Sequence, residues 1–191
     1  MMRIITGSAR GIKLETLEGE STRPTAERTK QAIFNILQFD MEDRRVLDLF
    51  GGSGQLALEA LSRGAASAFI CENNNNAFEI IKKNAQKTKL FDRCRLVCTD
   101  YLSALRSLAG KERFHIIFLD PPYQSNYLNV ALKRIHEGSL LADGGYIVCE
   151  SESAEPLTCP GTTLYRHAKY GRAYITILVK DTNSRAEGED I

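Results

Sequence analysis

From Arg45 to Glu150 short apolar runs alternate with helix-length amphipathic segments, and that alternation admits few folds other than a parallel sheet covered by helices on both faces. The first unit is the sharpest. Arg45-Val46-Leu47-Asp48-Leu49-Phe50 reads as a strand, Gly51-Gly52-Ser53-Gly54 as a tight turn, and Gln55 to Arg63 as a helix. Glycines at 51, 52 and 54 permit positive φ and leave no Cβ between backbone and ligand, while the helix offers free N–H groups at its start. Such a turn is a nucleotide-sized cradle, although a glycine-rich turn can also be plain punctuation.

The later units follow the same rhythm. Strands are expected over Ala66–Glu72, Arg95–Thr99, Phe114–Asp120 and Gly145–Glu150, with helices through Phe78 and Ile81 to about Lys87, over Tyr101–Leu108 and over Tyr127–His136. The habit then changes. Leu164–Tyr170 and Ala173–Lys180 are separated only by Gly171 and Arg172 and read as an antiparallel hairpin. Five βα units and this hairpin give a doubly wound, mostly parallel, seven-stranded α/β sheet whose last strand is antiparallel. Upstream, Arg3–Thr6 and Ile12–Leu17 flank the turn-like Gly7–Gly11 as a β-hairpin, and a helix follows from Arg23-Pro24-Thr25 with Thr25 as N-cap. The expected organisation is an N-terminal extension over residues 1–40, a main domain over 41–181 and a frayed tail over 182–191.

The longest apolar runs are strand-sized, so neither a membrane span nor a secretory segment is expected and a cytosolic monomer fits best. Five cysteines (71, 94, 98, 149 and 159) fall mostly inside apolar segments, and Cys94 and Cys98 share one strand, a spacing that argues against zinc. The net charge of +1 is uninformative, but its distribution is not. Between Pro156 and Lys180 there is no acidic residue, while Arg166, Lys169, Arg172 and Lys180 are basic with tyrosines interleaved. Together with Arg3, Arg10, Lys13, Arg23 and Arg28, the residues Lys169 and Arg172 form a candidate RNA-contacting set; the competing reading is a solvated surface.

In doubly wound sheets ligands bind at the carboxyl ends of the strands. Four acidic residues gather there: Asp48, Glu72, Asp100 and Asp120. Gly52 to Ala57 formally matches G-x-G-x-x-G/A, and Glu72 lies about 18 residues past Gly54, so a nicotinamide dehydrogenase stays open. Asp100 alone could be a helix N-cap. Asp120-Pro121-Pro122-Tyr123 is the most informative tetrapeptide. Two prolines hold the backbone rigid and leave the Pro121 carbonyl free to accept, Asp120 accepts a second bond, and Tyr123 offers a ring. Together they could hold both hydrogens of an exocyclic amine while the base that carries it stacks on Tyr123.

These residues resemble class I S-adenosylmethionine-dependent methyltransferases with a D/N-P-P-Y motif, and within them the RsmD family of bacterial 16S ribosomal RNA guanine-N2 methyltransferases. The resemblance covers nearly the whole chain, from Met2-Arg3-Ile4-Ile5 through Arg23-Pro24-Thr25, Phe34-Asn35-Ile36-Leu37 and Val46–Phe50 to Gly52-Ser53-Gly54, Glu59-Ala60-Leu61-Ser62-Arg63-Gly64-Ala65 and the Asp120–Tyr123 motif. It implies that Asp48 and the backbone of Phe50, Gly51, Gly52, Ser53 and Gly54 cradle the cofactor's methionine, that Glu72 takes the ribose hydroxyls, and that Asp100 and Tyr101 border the adenine. It further implies that Asp120 and Pro121, held by Pro122, grip a guanine amine in 16S rRNA or an assembling small subunit, with Tyr123 stacked on the base. Gly52 and Gln55 stand where the family more often has alanine, and Asn73–Asn76 replaces a more charged stretch. The tetrapeptide alone does not separate guanine-N2 from adenine-N6 or cytosine-N4, and a non-catalytic RNA-binding module on the same fold is the alternative from another class.

Overall fold

Strands β1 (Arg45–Asp48), β2 (Ser67–Glu72), β3 (Cys94–Cys98), β4 (Phe114–Leu119), β5 (Leu141–Ser151), β6 (Thr162–Tyr170) and β7 (Ala173–Lys180) pair into one sheet of order β3-β2-β1-β4-β5-β7-β6. The computed structural model describes residues 2–17, 24–122 and 126–182, the side chains of 24–26 excepted. Strands β1 to β5 run parallel and β7 is antiparallel to both its neighbours. The expected sheet is therefore present. Helices α1 (Pro24–Ile36), α2 (Gln55–Ser62), α3 (Asn75–Lys87), α4 (Tyr101–Leu108) and α5 (Tyr127–Glu137) cover it.

Strand parity divides the core between the two faces. Val46, Ile70, Ile116 and Phe118 pack against Phe34, Leu58, Leu61 and Ile81 of α1, α2 and α3. Their strand neighbours Leu47, Phe69, Ile117 and Ile147 pack against Leu105, Leu108, Leu132 and Ile135 of α4 and α5. Burial on both faces is why these strands read as continuous apolar runs rather than alternating ones. Strand order reverses between β1 and β4, so their carboxyl ends open a crevice between helices that leave toward opposite faces.

Four details depart from expectation. No helix follows β5; the chain crosses to β6 without one, so four helices rather than five follow the parallel strands. Strand β5 is longer than Gly145–Glu150 because it runs back through Asp143-Gly144-Gly145 across a register shift: Leu141 pairs with Phe114, and Tyr146 pairs with Ile116. Helix α1 begins at Pro24, a position that suits a residue without an N–H, so Thr25 lies inside the helix and does not cap it.

The N-terminal hairpin is reduced to a single antiparallel bridge between Arg3 and Lys13. Beside its own cross-strand bonds, from Ile4 N–H to the Ile12 carbonyl at 3.0 Å, from Gly11 N–H to the Ile4 carbonyl at 2.8 Å and from Leu14 N–H to the Met2 carbonyl at 2.9 Å, its backbone bonds to α2. Ile5 and Thr6 N–H donate to the buried Glu59 carboxylate at 2.7 and 3.0 Å, and Ala9 N–H donates to Ser62 Oγ at 2.9 Å. Ser62 in turn donates to the Thr6 carbonyl at 2.6 Å. Gly7 allows this approach: it has φ 87°, and a Cβ there would lie 1.7 Å from the Ser62 carbonyl oxygen. Buried Lys30 donates to the Arg3 carbonyl at 2.6 Å and lies 3.7 Å from Glu59. The expected tail falls almost wholly on residues 183–191, outside the described residues.

Candidate functional site

The carboxyl ends of β1, β2 and β4 and the start of α4 enclose a cleft of about 670 Å³. Its walls carry Asp48, Phe50, Gly51, Gly52, Ser53, Glu72, Asp100, Tyr101, Asp120, Pro121 and Pro122. Those residues come from four separate turns, and the sheet topology brings them to one place. Gly54 stands behind the cleft wall as the N-cap of α2 in left-handed conformation, φ 79°, and no side chain caps the helix there. Tyr123 lies outside the described residues.

Each acidic residue is held differently. Asp48 is fully buried at the end of β1, and burial pushes its carboxyl up to about 7 against the opposing effect of N–H groups from Phe50 and Ala57. The nearby Glu72 charge adds to the rise. Glu72 is tied to the loop it faces: Gly52 N–H donates to Oε2 and Asn74 N–H to Oε1, both at 2.8 Å. This locks the glycine turn of β1 to the end of β2. Asp100 is the N-cap of α4, accepting from Ser103 N–H at 2.9 Å, and bonds from the Ser103 side chain and backbone hold its carboxyl below the usual range. The capping alternative is thus realised, with Asp100 still on the cleft wall.

Three further residues line or shape the site without having been singled out from the sequence. Tyr127, at the start of α5, lies with its ring 5.1 Å from Tyr101 and 6.0 Å from Phe50, so three aromatic rings form one side of the cleft. Glu150, the last residue but one of β5, adds a fifth acidic group at a strand end. Asn84 is buried in α3 and fully bonded: its amide donates to the Ser53 carbonyl at 2.9 Å and to the Glu15 carbonyl at 3.0 Å, and its oxygen accepts from Glu15 N–H at 2.8 Å. It fastens the glycine turn and the N-terminal segment to one helix. Ser53 Oγ completes the clasp by donating to Met2 Sδ at 2.9 Å.

The basic residues fall into two patches. Arg3, Arg10 and Arg28 line a groove of about 470 Å³ with Glu27, which Arg3 Nε meets at 3.2 Å. Lys13 lies across the bridge from Arg3 and is exposed. Lys169 and Arg172 are exposed at the tip of the β6–β7 hairpin, where Ser151 pairs with Tyr174, so the tip stands at the carboxyl end of β5. Arg23 lies outside the described residues. Among the described residues no group of three or more His, Cys, Asp and Glu side chains is arranged for a metal, and no helix is long and apolar enough to cross a membrane.

A family model described as Conserved hypothetical protein 95 matches residues 2–179. Ribosomal RNA small subunit methyltransferase D of Escherichia coli is 32% identical over 191 residues, covering 98% of this chain and 94% of that protein. YlbH of Bacillus subtilis is 36% identical over 182 residues, covering 94% of this chain and 99% of that protein. The chain belongs to the RsmD family. The solved structure of Escherichia coli yhhF agrees in fold, with a TM-score of 0.84 at 32% identity, covering 95% of this chain and 99% of that one. The RsmD-like segment Glu59–Ala65 has a structural reason in this chain, since Glu59 and Ser62 are the side chains that seat residues 5–9 on α2. Family membership and the fold together make this a methyltransferase scaffold.

Proposed function

We propose that this chain transfers a methyl group from S-adenosylmethionine to the exocyclic N2 amine of a guanine in 16S ribosomal RNA. The observation that carries the reading is the meeting of the Asp120-Pro121-Pro122 strand end with the glycine turn of β1 in one cleft. The residues present suit the cofactor. Glu72 is an acceptor for ribose hydroxyls, the rings of Phe50, Tyr101 and Tyr127 offer an apolar wall for a purine, and the uncapped start of α2 favours a carboxylate. When bound, S-adenosylmethionine supplies an electrophilic methyl on a sulfonium, which requires no metal.

The chain's own part is orientation. The lone pair of a guanine amine is delocalised into the ring, so the nitrogen is a poor nucleophile until it is turned out of conjugation. Acceptors at the Asp120 carboxylate and the Pro121 carbonyl fix both N–H bonds and aim the lone pair, a contribution of proximity and preorganised electrostatics. Asp120 takes the proton as positive charge develops on the nitrogen. Tyr123 stacks on the extruded base and offsets part of the unstacking. Arg3, Arg10, Lys13, Arg23, Arg28, Lys169 and Arg172 meet phosphates of the small-subunit RNA.

The test is methylation of 16S rRNA by the purified protein followed by nucleoside mass spectrometry. The expected product is N2-methylguanosine, formed at least about 10²-fold more slowly by Asp120→Ala with S-adenosylmethionine binding nearly intact. N6-methyladenosine as product would replace the guanine assignment, and an undiminished Asp120→Ala rate would remove the mechanism.

A further inference from the structure

Beside the cofactor cleft lies a second hollow of about 210 Å³, and the two share Pro121, Pro122 and Glu150. Asn126 at the start of α5 and Leu157 after β5 also line it. Its floor is Ser151, the last residue of β5, which is only 6% exposed. Among the described residues Ser151 Oγ is the one buried side-chain oxygen or nitrogen without a hydrogen-bond partner. Parity aims it at this hollow. Ile147 and Cys149 face the α4–α5 side and Val148 the other, so Ser151 turns toward α5, where the hollow sits.

A buried hydroxyl left without a partner is costly, and in native structures such a group calls for an explanation. Here a ligand atom explains it. The two hollows meet at a ridge that carries Pro121 and Pro122, which line both, so a base seated in the smaller one presents its amine across the ridge to the larger. We infer that the smaller hollow is the seat of the target base and that Ser151 is a specificity-determining contact to its ring edge, an inference that rests on the proposed methylation of a guanine amine. With N2 held at the ridge, the same edge of guanine carries N1–H, a donor, and O6, an acceptor. Ser151 Oγ–H donates to O6, and the Glu150 carboxylate at the shared wall accepts N1–H. An adenine presents a bare N1 lone pair where guanine has N1–H and faces carboxylate repulsion, so the subsite selects between the two purine amines.

The test pairs a protein change with a base change at the position that wild-type protein is found to methylate. One substrate carries guanine there; the other carries 2-aminopurine, which keeps the N2 amine but lacks O6 and N1–H. Ser151→Ala is expected to lower kcat/KM on guanine about tenfold, the worth of one hydrogen bond, and to leave 2-aminopurine, slow for both proteins, unchanged. Equal loss on both substrates, or none on either, overturns the contact. The free variant should melt at or above the wild-type temperature, since an orphan hydroxyl has been removed; a lower melting temperature assigns Ser151 a structural role and also overturns it. Failure of the underlying reading looks different: wild-type protein yielding N6-methyladenosine, or no N2-methylguanosine, sinks both before the variant is compared.

Discussion

Asp48 is the carboxylate whose behaviour the fold controls most tightly. Buried at the end of β1, it titrates near 7 instead of 3.8, mainly through desolvation. The folded protein therefore holds a proton that the unfolded chain has released, and stability falls as pH rises from about 4 to about 7, by at most about 1.4 kcal/mol per unit from this group. Above the folded value the loss is complete. Asp48→Asn should then melt at the wild-type temperature near pH 4 and several degrees higher at pH 8, as read by calorimetry; parallel pH profiles would show that Asp48 does not titrate in this window. Glu72 is a different case because it already has two N–H partners, from Gly52 and Asn74. Glu72→Ala should weaken S-adenosylmethionine binding by about 1 to 3 kcal/mol, and should also lower the melting temperature by releasing the glycine turn. Unchanged affinity in isothermal titration would remove Glu72 from the ribose. These residues were visible in the sequence because they punctuate strand ends; Asp48's burial and Glu72's hold on the turn were not, since both depend on which strand lies beside which.

At the scale of elements, the N-terminal segment is kept in place by α2 as well as by its own pairing. Ser62→Ala would strip the Thr6 carbonyl of a donor and the Ala9 N–H of an acceptor, both inside the docking surface. The expected cost is roughly 2 kcal/mol or more, seen as a lower melting temperature and as faster hydrogen exchange confined to residues 2–17. Exchange that rises evenly over the sheet would argue instead that α2 itself has been disturbed. The same contacts explain what the sequence left unread. Helices and inner strands were legible because their apolar residues recur at 3.6 or form unbroken runs, and the β6–β7 hairpin because Gly171 and Arg172 are its whole turn. The N-terminal hairpin was legible, but not that its remaining donors are met by Glu59, Ser62 and Asn84, residues that are polar and distant in sequence yet buried. A buried polar residue carries no periodic signature. Tyr127 escaped for a related reason: as the first residue of α5 it resembles an ordinary exposed aromatic, and only the packing of α5 beside α4 brings it to Tyr101.

Over the whole molecule, two basic patches flank the mouth of one cleft. Met2 and Leu17 line the cleft while the adjoining Arg3 and Arg10 line the arginine groove, so the N-terminal segment is wall to both. On the other side the β6–β7 tip projects beyond the carboxyl end of β5, with Lys169 across Tyr174 of β7 from Ser151 and Arg172 in the turn beyond. A strand of RNA running from groove to tip would pass over Asp120 and the Pro121–Pro122 ridge. With a net charge of only +1, the protein has little long-range pull on a polyanion, and under the proposed function its affinity for RNA would come from these local cations. Arg3 is partly spoken for by Glu27, whereas Arg10, Lys169 and Arg172 take part in no ion pair found among the described residues. Replacing those three by alanine should lower the slope of log affinity against log salt by about 2 to 3, at roughly 0.7 to 0.9 per phosphate contact, and should weaken 16S rRNA and unrelated RNA alike. S-adenosylmethionine affinity should not change, because none of the three lines the cleft. Ser151→Ala should behave in the opposite way, altering turnover on guanine with the salt slope untouched. A triple variant that keeps the wild-type slope would mean that the RNA enters by another face, and the groove and the hairpin tip would then be solvated charge and nothing more.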